Sequence, residues 1–167
     1  MKNITLFLFL VLPFYGFNQL PKQWEGHYIG ELKSENSGGN SANYHMELIV
    51  NSLTDSTYNW IIIYGEDSLR QERKYFLIDK GNNQFDIDED NSILLSCNLI
   101  KNQFISVFEV QGNLIHVVYT FKKRKVCFDL TMSSNRSETG NGDEETPLVY
   151  SYETSTVQKA ILKRVKN

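Results

Sequence analysis

The chain has 167 residues, 41% of them hydrophobic and 22% charged, with a formal net charge of −3. Those values exclude wholesale disorder and fit one domain with a core of its own. The mild acidity argues against nucleic acid, or an anionic membrane surface, as the main partner.

Met1-Lys2-Asn3 leads into the apolar run Ile4 to Leu12, which Pro13, Gly16 and Asn18 then interrupt. A short basic start, a short apolar run and a break are the layout of a secretory signal peptide. The run falls short of the about 20 apolar residues that a membrane helix needs. The expectation is a signal peptide over 1–19, cleaved between Gly16 and Leu20, and a single domain over 20–167. The product is secreted or periplasmic, with no transmembrane span in the mature chain. Loss of Lys2 takes the net charge from −3 to −4.

From Trp24 onward, apolar and polar residues alternate between turn signals, as strands require. The stretch from Trp24 to Leu32 reads as a first strand anchored by its tryptophan. Trp24, Gly26, Tyr28, Gly30 and Leu32 share one face, and Glu25, His27, Glu31 and Lys33 the other. The polar segment Ser34 to Asn43 has no helical period. Strands follow around Tyr44 to Val50, Thr57 to Gly65, Arg70 to Asp79, Phe85 to Ile87, Ile93 to Leu99, Phe104 to Val110, Leu114 to Phe121 and Val126 to Met132. The third is greasy on both faces at Ile61 to Ile63, so part of its outer face should be covered or serve a partner. Lys122-Lys123-Arg124-Lys125 fits a solvated hairpin turn. The segment 134–147 is Ser-rich and acidic and reads as a mobile loop. Leu148 to Val165 is extended again, its Thr- and Tyr-rich start favouring a strand over a helix.

The fold class is therefore all-β, an antiparallel up-and-down barrel of roughly ten strands. Closure removes exposed edges, with the last strand around Val157 to Lys163 sealing the first. A β-sandwich is the alternative.

The pattern Trp24-x-Gly26-x-Tyr28-x-Gly30 resembles the opening of the calycins, the lipocalin and fatty-acid-binding-like barrels. Its order is most similar to the starts of nitrobindin-like barrels and of uncharacterised secreted bacterial proteins. The Trp60 to Glu66 strand, the Tyr75 strand and Phe108-Glu109-Val110-x-Gly112-Asn113 look like that last group. The resemblance implies a calycin-like barrel able to hold a small ligand. It departs in three places. The interval after the first strand has no helical lid, no long helix follows the strands, and no histidine lies beyond His116, so haem binding does not carry over.

The aromatic residues Tyr28, Tyr58, Trp60, Tyr64, Tyr75, Phe108, Tyr119 and Phe128 are the candidate pocket lining. Small barrels are as often filled by such side chains as hollow. Tyr58, Trp60 and Tyr64 share a phase, and their polar tips can orient a ligand. Glu109 lies on the face of Ile105 and Val107, which suggests a semi-buried, paired carboxylate. His27, His45 and His116 sit on separate strands in outward phase, which suits surface histidines better than a metal site. Asp86 to Ser92 has acids at alternate positions like a calcium loop, but Asn91 stands where glycine is needed and Cys97 where the bidentate glutamate belongs. A half-exposed strand entering a turn accounts for the same pattern. No nucleophile elbow, nucleotide loop, His-Glu-x-x-His or Cys-x-x-Cys occurs, so neither catalysis, cofactor nor metal is expected. Cys97 and Cys127 are too far apart in a meander to be bridged. The expected function is non-catalytic binding of a small apolar or amphipathic ligand. The alternative is a filled barrel acting as an interaction module for an envelope protein.

Overall fold

The computed structural model describes residues 20–166. The proposed signal peptide lies outside them. Ten antiparallel strands are connected as a meander: β1 (Gly26–Asn36), β2 (Ser41–Ser52), β3 (Thr57–Tyr64), β4 (Gln71–Gly81), β5 (Gln84–Asp88), β6 (Leu94–Ile100), β7 (Gln103–Val110), β8 (Asn113–Lys122), β9 (Lys125–Thr139) and β10 (Val149–Arg164). The sheet closes because β10 pairs with β1, from Tyr28↔Arg164 to Asn36↔Thr156. The all-β, up-and-down barrel is thus as the alternation implied, and the last strand seals the first.

The strands form where alternation lets one face bury. On β2, Met46, Leu48 and Val50 point inward and are fully buried, while Glu47 and Ile49 face out. On β9 the inward set begins Val126, Phe128. Gly30 permits the closest backbone approach in the seam: a Cβ there would collide with the Ile161 carbonyl oxygen on β10.

Trp24 differs from the sequence reading in one respect. It lies in a 3-10 turn, Lys22–Trp24, and β1 begins at Gly26. Pro21 starts the turn, and its carbonyl accepts the Trp24 N–H at 2.8 Å. The turn carries the indole across one end of the barrel instead of along its wall. There it stacks on Phe121 at 4.9 Å between centroids and meets Phe104 edge-on at 6.3 Å. The Tyr28 hydroxyl donates to the Trp24 carbonyl at 2.8 Å, and the Leu20 N–H donates to the Tyr58 hydroxyl at 3.0 Å. This closed end holds both the entry and the exit of the barrel, with the β2–β3, β4–β5, β6–β7 and β8–β9 turns.

The segment 134–147 corrects the loop reading. β9 runs on to Thr139, and Glu138 and Ser137 pair with Tyr150 and Ser151 of β10. Only 140–148 is outside the strands. This two-stranded ribbon extends past the last β8 partner, Ser133, so neither of its faces meets the core. Its order comes from backbone pairing, which imposes no apolar alternation.

Trp24→Ala should lower stability by about 3–5 kcal/mol, since it removes a buried ring whose space the plug cannot refill. Gly30→Ala should also destabilise, through the Ile161 collision rather than a cavity. Urea unfolding of both variants, followed by far-UV circular dichroism, measures each loss.

Candidate functional site

The interior divides into two halves along the axis. Toward the closed end the aromatic rings fill it: Phe85 lies 5.1 Å and Trp60 5.6 Å from Phe104, both edge-on. Toward the open end the filling stops, and a cavity of about 120 Å³ opens between β3 and β9. Trp60, Cys97, Phe104, Tyr119 and Phe128 are its buried floor. Tyr64, Tyr75, Leu95, Phe108, Val117 and Leu130 are the half-buried rim, with Glu89 as the one lining carboxylate.

Six of the eight aromatic residues expected at a pocket therefore meet around one cavity: Trp60, Tyr64, Tyr75, Phe108, Tyr119 and Phe128. Tyr28 and Tyr58 do not line it. They are buried in the plug, with hydroxyls committed to Trp24 and Leu20. Phase along a strand tells inside from outside but not how deep along the barrel axis a residue falls. Leu95, Val117 and Leu130 also line the cavity, aliphatic side chains in the same inward phase as the rings and without an aromatic signature to mark them.

The walls are apolar, yet several polar tips converge. Burial pushes the Tyr119 phenol well above its usual range, and the nearby Tyr64, Tyr75 and Cys97 push it further. The Trp60 N–H opposes that shift from close by, but it is buried without a well-formed hydrogen bond among the described residues. Burial also takes Tyr64 up to about 12, against the pull of Arg73. The Arg73 guanidinium stands 5.9 Å from the Tyr64 ring centroid and donates to the Tyr75 hydroxyl at 3.5 Å. The Ser106 hydroxyl is occupied by the Ser96 carbonyl at 2.7 Å. The chamber is thus greasy, lined with neutral hydrogen-bond donors, and carries a cation near its mouth.

Other candidates resolve as follows. His27 and His45 bracket Glu47 on the outer wall: His27 Nε2 lies 2.5 Å and His45 Nε2 2.9 Å from its two oxygens. His45 Nδ1 also reaches Glu66 at 3.1 Å. Burial raises the Glu47 carboxyl, but the bonds from His45 and His27 outweigh it and hold the group below the usual carboxylate range. His116 is exposed. Ile63, on this outer face, is buried at 3% exposure, so the greasy patch read from Ile61 and Ile63 is largely covered. Glu109 is exposed, not semi-buried: it does share a face with Ile105 and Val107, but that face is the outer one, where Val107 is also exposed. The acids of β5 and the turn after it are held by local partners. Asp88 accepts the Asp90 N–H at 2.9 Å, Asn91 accepts the Ile93 N–H at 3.0 Å, and Asp86 pairs with Lys80. No group of three metal-ligating side chains occurs among the described residues. Both cysteines are free thiols, Cys97 on the cavity floor and Cys127 half-buried on the outside.

Two measurements check this geometry. Tyr64 has a folded pKa near 12 against an ordinary 10, so its contribution is intact below pH 10 and is lost as pH rises to 12. Tyr64 should account for about 2 kcal/mol of the stability lost over that window, beside the losses from Tyr119 and Cys97, and Tyr64→Phe should remove that share, as read by urea midpoints at each pH. Burial likewise lifts the Cys97 thiol to about 12. At pH 8, iodoacetamide should label Cys127 alone in the folded protein and both thiols in urea, by intact mass.

No known family model and no curated protein matches this sequence. Solved structures do match in shape. The S-type phycobiliprotein lyase CPES of Guillardia theta superposes with a TM-score of 0.62 at 6% identity, over 87% of this chain and 90% of that one. A DUF3598-family protein of Nostoc punctiforme gives 0.61 at 9% identity over 93% of this chain, which spans about half of that protein (53%). Rv2717c of M. tuberculosis gives 0.56 at 8% identity, over 87% and 94%. Such identities establish architecture alone. The chain is a closed ten-stranded barrel of the calycin type.

Proposed function

We propose that this protein is a non-catalytic carrier or sensor that binds a small apolar or amphipathic molecule in the open-end cavity and acts outside the inner membrane. The observation that carries the reading is the split interior: one end is sealed by stacked rings, while the other keeps an apolar chamber around which Trp60, Tyr64, Tyr75 and Tyr119 meet. A filled barrel needs no such chamber. At about 120 Å³ it is close in size to dry cavities that take a benzene ring. The enclosed part of the ligand is therefore of single-ring size, and any longer tail leaves through the mouth past Arg73. An acceptor oxygen on that ring suits the phenols and the Trp60 N–H. The lyase of similar fold is named for work on bilin-bearing proteins, and its shape supports small-molecule binding in this one.

For a carrier, the cavity chemistry suits holding a ligand unchanged. Its one carboxylate, Glu89, lies at the rim, and its thiol is held protonated. Export is supported by the N-terminal layout, and a cut before Leu20 would keep the buried Leu20 anchor in place. The interaction-module alternative loses one of its two surfaces, since Ile63 is covered.

Single-ring phenols and aryl ethers should quench or shift tryptophan fluorescence with Kd on the order of 0.1–1 mM. Val117→Phe, which fills the mouth, should weaken this at least about tenfold without lowering stability. Native mass spectrometry of protein from its source should show a co-purified small molecule. No response to any ring compound, with Val117→Phe indistinguishable from the parent, would remove the binding reading.

A further inference from the structure

The closed end gathers the positive charge of an otherwise acidic chain. The β8–β9 turn is Lys122-Lys123-Arg124-Lys125, and β10 ends in Lys163-Arg164, followed by Val165 and Lys166. Strand pairing puts Lys125 opposite both Lys122 and Lys163. The Arg164 N–H donates to the Arg124 carbonyl at 2.9 Å, which ties the two segments together. The result is a surface concavity lined by basic residues alone. Among the described residues, none of these side chains joins an ion pair. Like charges placed across strands oppose folding, so the fold carries this cluster at a cost. The acids Glu138, Asp143, Glu144, Glu145 and Glu153 lie in the β9–β10 hairpin at the opposite end. The net charge of −3 averages two ends of opposite sign, which is why composition argues against an anionic partner.

We propose that the closed end docks on an anionic phospholipid surface. Charge complementarity is the first reason: basic residues beside such a surface each contribute roughly fivefold in partition. The second is the apolar company they keep. Leu53 in the β2–β3 turn, Ile100 at the end of β6 and Val165 are 50%, 54% and 40% exposed at this same end. Val165 lies among Lys163, Arg164 and Lys166, and Ile100 beside Lys101; such apolar side chains gain from the headgroup boundary, whereas a soluble polyanion offers them nothing. The third is polarity of placement: the basic cluster and these apolar side chains share the sealed end of the barrel, opposite the chamber. Docking in this pose points the ligand chamber away from the bilayer.

Vesicle co-sedimentation tests the proposal, using the full chain after natural processing, with its N-terminus read by mass. The protein should partition onto equal-part phosphatidylcholine/phosphatidylglycerol vesicles and not onto phosphatidylcholine alone. The triple variant Lys122→Gln, Lys123→Gln, Lys125→Gln should lose roughly a hundredfold in partition, while arginine at the same three positions keeps it. Thermal melting of both variants confirms that they fold, and Leu53→Ser with Ile100→Ser should weaken binding further. Equal binding to both vesicle types, or full binding by the glutamine variant, overturns the proposal. Heparin binding as tight as vesicle binding, with Leu53→Ser and Ile100→Ser without effect on the latter, also overturns it and assigns the cluster to a soluble polyanion.

Discussion

Closing ten strands into one barrel makes an interior too wide for a single layer of aliphatic side chains to fill, and the molecule is built around that surplus. Large rings absorb it at the closed end. Trp24 enters from outside the sheet, in a 3-10 turn, and stacks on Phe121 across the end of the barrel. Tyr28, Phe85 and Phe104 continue the packing, and each ring meets its neighbours edge-on or stacked, as their quadrupoles prefer. The close ring packing ends before the barrel does, and the space left between the rings beyond it is the cavity.

The chemistry of that cavity follows from where it sits. Above the plug the walls are apolar, so burial of the Tyr64 and Tyr119 hydroxyls outweighs the pull of Arg73 on the former and keeps both neutral. Neutral donors in a dry chamber recognise acceptor oxygens without fixing a charge. The outer wall works differently. There Glu47 stays ionised because two imidazoles supply what burial removes.

Alternation made the strands readable, as Val126, Phe128 and their neighbours on β9 illustrate. The argument that a long meander must hide its edges made closure readable as well. Depth along the axis was not legible. Tyr58 and Trp60 are two residues apart and share a phase, yet one belongs to the plug and the other to the chamber floor. Glu109 shows a related limit, because a strand with apolar residues on both faces does not say which face is inside. The ribbon beyond Ser133 was invisible for a different reason: pairing without burial imposes no pattern on side chains. The meeting of His27 with Glu47, and of Lys125 with Lys163, depends on register between strands, which local sequence does not encode.

The separation of plug from chamber also bears on how such a protein can change over time. Residues that hold the barrel shut and residues that touch the chamber are different sets, joined mainly through Trp60 and Phe104. Rim positions such as Leu95, Val117 and Leu130 can therefore vary while the closed end keeps its packing. A stable scaffold tolerates such changes at its rim without loss of folding. That freedom is consistent with how little sequence this chain shares with barrels of the same shape.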